Sequence, residues 1–476
     1  MKKYYLMTFL AGIFYAWGFP VKNFFNFFLF PVIGFSFYYY TVKLKFISLK
    51  QLLLLTLMFD FGYFLLGYYW IITLLENFGS IHAPWNYLLG VTSCLILTPH
   101  YFIFVIIYKF IVKHLNKSLL PLILSLILVL LENYIPQEFP AHIGHPWLQI
   151  TPYLGLAPIF GSSIYSFISY LIAISIVEHL TTKIRPSLSY SIIIILLISN
   201  FSIKLPVKAL KSKKLNIRVV QANIENNLKL QSEKNSFGAA AKVENIYLKL
   251  STDNAEKLDM IIWPETAYHR LLTSKLMYKE KLNTPKVIKD VILKTKAFLL
   301  TGGYDQKIES DNFFETIYNS AFYFTPDSLL NSVYHKQVLI PFGETLPLGP
   351  FNSFFKNLNS NISFFAKGKT SSFLKIKDAT FSMAICYEIL YPSFLRQYFK
   401  TKKPDFIINI TNDSWYGDTS EPFQHLFLAR WRALEWQIPI IRSTNTGITA
   451  LIHSDGSYTQ LIPQNSSDYK DFTINY

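Results

Sequence analysis

Cysteine is nearly absent from this sequence, since the 476 residues contain only Cys94 and Cys386. Two cysteines, of which Cys94 lies inside a long apolar segment, provide no disulfide framework. Charged residues are also few, at 16% of the chain, whereas 51% of the residues are hydrophobic. A chain of this length with so little charge is too apolar to be an ordinary soluble protein.

The sequence also lacks a concentrated basic stripe, although its formal net charge is +15. In the C-terminal part the Lys and Arg residues are scattered among Asp and Glu, which argues against a nucleic-acid-binding protein. Attraction to an anionic lipid surface is the more natural interpretation of the excess positive charge.

The first part of the chain is instead dense in Phe, Leu, Ile and Tyr, and its apolar segments approach or exceed the length that crosses a bilayer. Lys and Arg residues are concentrated in every second loop between these segments, and positive residues favour the cytoplasmic side. We therefore expect the N-terminus to be cytoplasmic and the chain after about residue 206 to be outside the cytoplasm. The predicted spans are residues 4–20, 23–41, 51–76, 86–112, 118–134, 157–178 and 187–205.

Composition thus predicts a transmembrane bundle of about seven helices over residues 1–207 and an extracytoplasmic domain over residues 208–476, which begins with the polar linker "KALKSKK". In the second domain, short runs rich in Ile, Val and Phe alternate with segments of helical spacing. The expected fold class is a membrane α-helical bundle plus an α/β domain. The main strand predictions are "IRVVQAN" (217–223), "DMIIW" (259–263), "AFLLTGG" (297–303) and "DFIINI" (405–410), and "EPFQHLFLARWRALEW" (421–436) is predicted to be helical.

Three polar residues stand at the ends of predicted strands: Glu265 in "MIIWPE", Lys336 in "VYHK" and Cys386 in "MAIC". Strand ends in α/β domains are where ligands bind. A thiol needs a base to become a nucleophile near neutral pH, and a carboxylate can serve as that base. An ammonium group can stabilise the oxyanion of a tetrahedral intermediate. Each residue alone also has a purely structural interpretation, and only the combination favours catalysis.

The motifs "WPET", "HKQVLIPFGE" and "CYE", in this order, resemble the carbon–nitrogen hydrolase (nitrilase) superfamily over about residues 215–465. The resemblance implies a nitrilase-like αββα sandwich. It also implies that Glu265 is the general base, Lys336 the oxyanion stabiliser and Cys386 the acyl-accepting nucleophile. The backbone N–H of Tyr387 is expected to add an oxyanion donor, and Glu388 is expected to be an accessory carboxylate.

Fusion of such a domain to seven spans resembles the apolipoprotein N-acyltransferase family. "HPWLQ", with Trp147, and "NDSWYG", with Trp415, match further segments of that family, and Glu344 matches its accessory carboxylate. The resemblance implies that Cys386 takes an acyl chain from a phospholipid, with phosphatidylethanolamine as the expected donor. The acceptor is the α-amine of diacylglyceryl-cysteine in bacterial apolipoproteins.

The same resemblance implies further properties of the protein. The protein is expected to need no metal or soluble cofactor, to bind no nucleic acid and to be a monomer. The resemblance also implies a multi-pass protein of the bacterial inner (cytoplasmic) membrane, with its catalytic domain on the periplasmic side. Leu230 stands where the family usually has a tryptophan, so the substrate contacts of that tryptophan do not carry over.

Two alternatives remain open at the level of sequence. A membrane-anchored nitrilase-family amidohydrolase would use the same three residues with water as the acceptor. A non-enzymatic transporter or scaffold would predict the loss of at least one of the three residues, and all three are present.

Two further structural expectations concern single segments. The aromatic segment over residues 346–367 is expected to form a lid against lipid, and Asp60 is expected to be a paired contact between helices.

Overall fold

The computed structural model describes most of the chain, in segments separated by short gaps. The predicted linker lies outside the described residues except for its last two, and so does the predicted lid except for residues 365–367. The described residues are 1–44, 48–205, 213–234, 238–278, 284–306, 317–341, 343–345, 365–369, 373–399 and 402–476.

The first part of the chain is helical, and each of the seven predicted apolar segments contains helix. Two single helices, Leu49–Tyr68 and Ser163–Thr182, are long and apolar enough to cross a membrane. The helix pair Trp85–Leu97 and Pro99–His114, bent by 47°, passes the same test when taken together. The full number of spans therefore stays a prediction.

The helices of this part have the following bounds. They are Lys2–Ala16, Phe30–Val42, Leu49–Tyr63 with its π-helical continuation Phe64–Tyr68, Trp70–Asn77, Trp85–Thr92, Cys94–Leu97, Pro99–Ile111, Leu120–Tyr134, Ala157–Phe160, Ser163–Thr182 and Ser187–Ser202, with 3₁₀ turns at Val112–His114 and His145–Ile150.

Small residues let two of these helices approach closely. A Cβ atom on Gly12 would lie 1.9 Å from the carbonyl oxygen of Phe59, and one on Gly62 would lie 2.0 Å from that of Phe9. Close backbone contact at small residues is typical of helix pairs in membranes. Asp60, buried in the same region, accepts a hydrogen bond from the hydroxyl of Thr98, the residue that caps the start of helix Pro99–Ile111, in agreement with the predicted contact between helices.

The second part of the chain is built on two β-sheets. In the described residues, the first sheet has the order β13-β1-β2-β4-β5-β6 with β3 paired to β4, and the second has the order β12-β11-β10-β9-β8-β7. The strands are β1 (Lys214–Gln221), β2 (Met260–Ile262), β3 (Leu271–Leu272), β4 (Phe298–Gln306), β5 (Ile317–Phe324), β6 (Leu330–His335), β7 (Phe373–Ile376), β8 (Ala379–Ile385), β9 (Phe406–Thr411), β10 (Ile440–Thr444), β11 (Thr449–Ile452), β12 (Tyr458–Ile462) and β13 (Asp468–Asn475).

The helices of the second part lie between these strands in sequence. The helix predicted over residues 421–436 is confirmed, and the four main strand predictions correspond to β1, β2, β4 and β9. The helices are Asn226–Glu233, Ala239–Thr252, Ser274–Met277, Lys286–Thr295, Pro392–Phe399 and Glu421–Trp436, with 3₁₀ turns at Cys386–Leu390 and Ser414–Tyr416.

Several strands in the middle of the two sheets, such as β2, β8, β9 and β10, are buried on both faces. Ile217 and Ile262 of the first sheet share one core with Phe381 and Ile407 of the second sheet. The alternate residues of β1 and β2 pack against helices Ala239–Thr252 and Lys286–Thr295 in a separate core. Burial on both faces explains why these strands read as continuous hydrophobic runs.

One helix joins the two parts of the molecule. Phe427, Trp431 and Leu434 on helix Glu421–Trp436 belong to the hydrophobic core of the helical part. The indole N–H of Trp431 donates a hydrogen bond to the carbonyl oxygen of His145 at 2.9 Å. Leu426 and Ala429, on the same helix, pack into the core between the sheets. The helix thus packs against both parts of the molecule.

Candidate active site

The structure brings Glu265 and Lys336 into direct contact. Glu265 follows β2 after Trp263 and Pro264, and Lys336 follows β6 directly. The Nζ atom of Lys336 lies 3.2 Å from Oε1 of Glu265 and 2.9 Å from Oε1 of Glu344. All three side chains are buried, and Lys336 has no exposed surface. A buried ammonium group is tolerated here because two carboxylates accept its hydrogen bonds.

Asn319 holds the two carboxylates together, and sequence reasoning missed it. Its Nδ2 atom donates to Oε1 of Glu265 at 2.7 Å and to Oε1 of Glu344 at 2.8 Å. Asn319 lies on β5, and its carbonyl oxygen accepts a hydrogen bond from the backbone N–H of Lys336 on the neighbouring chain segment. An asparagine within the apolar run "IYNSAFYF" was the signal that could have identified it.

The second oxygen of each carboxylate accepts a hydrogen bond from a backbone donor. The N–H of Asn412 donates to Oε2 of Glu265 at 2.9 Å, and the N–H of Ile340 donates to Oε2 of Glu344 at 3.0 Å. Both carboxylates are therefore fixed in orientation by main-chain and side-chain donors before any ligand binds, which is the preorganisation that catalysis needs.

Cys386 follows β8 in a strained backbone conformation. Its φ is +51°, in the left-handed region that residues with a side chain adopt only a few per cent of the time. The 3₁₀ turn Cys386–Leu390 begins at this residue. Such strain costs about 1–3 kcal/mol and clusters at functional sites. The thiol of Cys386 forms a hydrogen bond with the hydroxyl of Thr411.

The electrostatics of the site keep this thiol protonated. Burial raises the pKa of the Cys386 thiol well above its ordinary value, and the Glu265 carboxylate raises it further, while Lys336 opposes them. Although burial disfavours its charged form, the carboxylates of Glu265 and Glu344 raise the pKa of Lys336 above its ordinary value. Lys336 is thus a permanent cation, and a reaction with Cys386 as the nucleophile would need a base.

Glu388 connects the cysteine turn to the lysine segment. Its carboxylate accepts hydrogen bonds from the backbone N–H of Ile385 at 2.7 Å, from that of Gln337 at 2.5 Å and from the Tyr334 hydroxyl at 2.9 Å. Ile385 precedes Cys386 and Gln337 follows Lys336, so one carboxylate fixes both functional groups. Burial raises the pKa of Glu388 to about 7, against the effect of these donors.

The other predicted residues lie in different surroundings. The Tyr387 hydroxyl donates to the carbonyl oxygen of Glu138 in the helical part. The ring of Trp415 lies 5.5 Å from Nζ of Lys229. Trp147 donates a hydrogen bond to Ser169 at 2.9 Å inside the helical part. Among the described residues, no contact of Trp147 joins it to Glu265, Lys336 or Cys386.

A second buried network, also missed from sequence, lies close to Cys386. Asp413 accepts hydrogen bonds from Arg442 at 2.8 Å and from the Thr411 hydroxyl at 3.1 Å, and its Oδ1 lies 3.2 Å from Nδ1 of His425. Although burial disfavours its charge, Arg442 and His425 hold the pKa of Asp413 below its usual range. Asp413, Glu421 and His425 could hold a cation by their spacing, but Arg442 already balances the carboxylate charge.

The two-sheet α/β domain with this site defines the class of protein as a carbon–nitrogen hydrolase, and the family model of that description matches residues 216–474. A second model, the apolipoprotein N-acyltransferase N-terminal domain, matches residues 11–175. The chain belongs to the apolipoprotein N-acyltransferase family. The match of the N-terminal domain favours acyl transfer over the alternative of a membrane-anchored amidohydrolase.

Two apolipoprotein N-acyltransferases match most of this chain. The apolipoprotein N-acyltransferase of Haemophilus influenzae is 31% identical over 436 residues, which cover 87% of this chain and 78% of that protein. The one from Rickettsia prowazekii is 29% identical over 430 residues, which cover 87% of this chain and 81% of that protein. A solved CN-hydrolase superfamily protein from Xanthomonas campestris is 18% identical, with a TM-score of 0.38, and covers 55% of this chain and 91% of its own.

Proposed function

We propose that Cys386 carries an acyl chain as a thioester between a phospholipid and the α-amine of diacylglyceryl-cysteine at the N-terminus of an apolipoprotein. In this proposal Glu265 is the general base, and Lys336 and the backbone N–H of Tyr387 stabilise the oxyanion. The observation that supports it most strongly is the fully buried Lys336, which contacts Glu265 and Glu344 and lies close enough to Cys386 to oppose the rise in its pKa.

In the first step, the sulfur of Cys386 attacks the carbonyl carbon of the sn-1 ester while Glu265 accepts the thiol proton. The negative charge moves to the carbonyl oxygen, where Lys336 stabilises it. When the intermediate collapses, the bond to the glycerol oxygen breaks and Glu265 gives its proton to that oxygen. A lysophospholipid leaves, a thioester remains on Cys386 and Glu265 is again a carboxylate.

In the second step, the neutral α-amine of the apolipoprotein attacks the thioester carbonyl. Glu265 accepts a proton from the amine nitrogen, the carbon–sulfur bond breaks, and the same proton returns to the sulfur. The products are the amide and the free thiol. A covalent intermediate divides one slow acyl transfer into two faster steps.

Glu344 has a different role from Glu265 in this scheme. Its Oε1 atom is the nearer acceptor for Lys336, at 2.9 Å, and its Oε2 atom is bound to a backbone N–H. When Glu265 becomes protonated, Glu344 still balances the charge of Lys336. The ammonium group therefore stays in place for the oxyanion throughout the cycle.

The wider setting of the reaction is part of the proposal. The placement of Lys and Arg supports a multi-pass protein of the inner membrane with residues 208–476 on the periplasmic side. The shared core of the two sheets and the helices packed on the first sheet support an αββα sandwich. Phosphatidylethanolamine is the proposed donor and a monomer the proposed state. Trp147 and Trp415 are proposed to contact substrate.

The decisive experiment follows the acyl chain. Protein in vesicles of phosphatidylethanolamine with a labelled sn-1 chain is given a diacylglyceryl-cysteine peptide, and the peptide is analysed by mass spectrometry. We expect a third acyl chain with the wild type and with the matched control Cys94→Ala, and none with Cys386→Ala. Label on the peptide in the presence of Cys386→Ala would show that another group carries the acyl chain.

A further inference from the structure

A recess beside Glu265 has no role in the two steps described above. It is a small recess, and part of it is open to solvent. Its wall includes Glu265 but neither Lys336 nor Cys386, so the recess faces a part of the substrate other than the reacting carbonyl. The lining residues are Ile224, Lys229, Ser232, Val243, Tyr247, Glu265, Thr266, Ala267, His269, Asn412 and Asn445.

Lys229 places a buried positive charge in this wall. The side chain belongs to helix Asn226–Glu233, and the residue is 6% exposed. Its Nζ atom donates to the Thr266 hydroxyl at 2.5 Å, and the Glu233 carboxylate lies 3.9 Å away. An ammonium group has three N–H donors. Lys229 therefore retains donor capacity toward the recess.

Two further side chains in the wall have buried nitrogen atoms with no hydrogen-bond partner among the described residues. Both ring nitrogens of His269 and the Nδ2 atom of Asn412 have none, and each residue is 4% exposed. Burial, with help from Arg270 and Lys229, lowers the pKa of His269 to about 4, so the ring is neutral near pH 7 and carries one N–H donor. Because buried polar groups are normally hydrogen-bonded, these donors indicate a polar ligand.

The donors favour an anion with several acceptor oxygens. The one carboxylate in the wall, that of Glu265, already accepts hydrogen bonds from Asn319, Lys336 and the backbone N–H of Asn412. What remains is the ammonium group of Lys229, the amide N–H of Asn412 and the ring N–H of His269. A phosphate oxygen anion matches this set, because each of its oxygens accepts hydrogen bonds and its charge complements Lys229.

The chemistry of the first step brings a phosphate to this position. Glu265 must return its proton to the glycerol oxygen of the leaving lysophospholipid, so the leaving group has to lie against Glu265. In a phospholipid that leaving group carries the phosphodiester, separated from the sn-1 oxygen by the glycerol carbons. The recess adjoins the same carboxylate.

We propose that Lys229, His269 and Asn412 form a subsite for the phosphodiester of the acyl donor. The subsite rests on the proposed function, because it assumes a phospholipid as donor. It selects phospholipids over uncharged acyl esters and aligns the leaving oxygen with Glu265. Trp415, whose ring faces Lys229, borders this subsite.

The test compares two acyl donors in the full-length protein. Acylation of Cys386 is measured with phosphatidylethanolamine and with p-nitrophenyl butyrate, an activated ester without phosphate. Hydrogen bonds to charged groups are worth about 1.5–3 kcal/mol, so Lys229→Met should lower kcat/KM for the phospholipid roughly 10- to 100-fold. The rate with p-nitrophenyl butyrate should stay within about twofold, because the reacting groups are untouched.

Three further variants complete the design. Lys229→Arg should retain much of the phospholipid rate because it keeps the charge, and Lys242→Met, an exposed lysine on the next helix, is the matched control. His269→Gln serves as a second test that does not remove the charge and should also lower only the phospholipid rate. Thermal unfolding checks that each variant is folded.

The outcomes separate the proposals. An equal loss with both donors would show that Lys229 only positions Glu265 through Thr266, and no loss with either donor would also overturn the subsite. Inorganic phosphate is also added to each protein. If it inhibits the wild type with both donors and restores the preference for phospholipid in none of the variants, the occupant is a free phosphate ion and the lipid assignment is wrong. A wild type that neither donor acylates on Cys386 would instead refute the proposed function itself.

Discussion

Lys336 is paired more closely with Glu344 than with Glu265, at 2.9 Å against 3.2 Å. Both carboxylates also share the amide of Asn319. The two glutamates are thus similar in burial and contacts, but in the proposed mechanism only Glu265 exchanges a proton with substrate. Glu344 is bound to the backbone N–H of Ile340 and acts as the constant partner of the lysine.

This difference predicts distinct defects for the two amides. Glu265→Gln should lower the rate of thioester formation by about 10²–10⁴-fold, because general-base help is lost. Glu344→Gln should leave a base in place but weaken the charge balance of Lys336, so we expect a smaller loss of both steps. Single-turnover acylation with labelled phospholipid measures the first step. Equal losses in the two variants would contradict the separate roles.

The pH dependence of cysteine alkylation should move in opposite directions in two variants. The carboxylate of Glu265 raises the pKa of Cys386, whereas Lys336 lowers it. Glu265→Gln should therefore shift the alkylation profile with iodoacetamide to lower pH, and Lys336→Met should shift it to higher pH. The rate is measured on Cys386 by mass spectrometry, with Cys94→Ala as the background. Shifts in the same direction would show that the three groups do not interact directly.

Glu388 should give a pH-dependent contribution to stability. Its carboxyl is buried and its pKa is raised from 4.5 to about 7 in the folded protein. The folded state binds more protons than the unfolded state between these two values, so this contribution decreases as pH rises from about 4.5 to about 7. At 1.36 kcal/mol per pKa unit the decrease is at most roughly 3 kcal/mol.

The measurement compares Tm of the wild type and of Glu388→Gln, which cannot titrate, in detergent across this pH range. We expect the wild type to lose stability relative to the variant as pH rises. A constant difference in Tm over the whole range would show that Glu388 does not titrate there.

Sequence identified the residues at strand ends but not the groups that hold them. Glu265, Lys336 and Cys386 each follow a hydrophobic run, so their positions were readable from periodicity and motif. Asn319 was missed because its role depends on pairing between β5 and the segment after β6, which the local pattern does not contain. The left-handed backbone of Cys386 was likewise hidden in the sequence, since no glycine marks it.

Glu388 is a second residue whose contacts could not be predicted from the sequence. Its place next to Cys386 predicted an accessory carboxylate, and a role in substrate binding stays a prediction. The structure shows hydrogen bonds from Ile385, Gln337 and Tyr334 to its oxygens. These contacts join segments about 50 residues apart in the chain, and only the tertiary fold reveals them.

The orientation of the chain in the membrane gives the last prediction. Lys and Arg lie in alternate loops between the apolar segments, and such residues favour the cytoplasmic side. We therefore expect the loop that contains Ser48 to be cytoplasmic and the strand that contains Lys470 to be periplasmic. Ser48 is exposed at the start of helix Leu49–Tyr63, and the side chain of Lys470 is 50% exposed, so both positions are accessible to a reagent.

Single cysteines at these positions test the orientation. In a background without native cysteines (Cys94→Ser and Cys386→Ser), Lys470→Cys should react with a membrane-impermeant maleimide in intact spheroplasts. Ser48→Cys should react only after the membrane is broken, and this second treatment is its control for accessibility. The reverse pattern would place Glu265, Lys336 and Cys386 in the cytoplasm, because β13, which contains Lys470, pairs with β1 of the same sheet as β2 and β6.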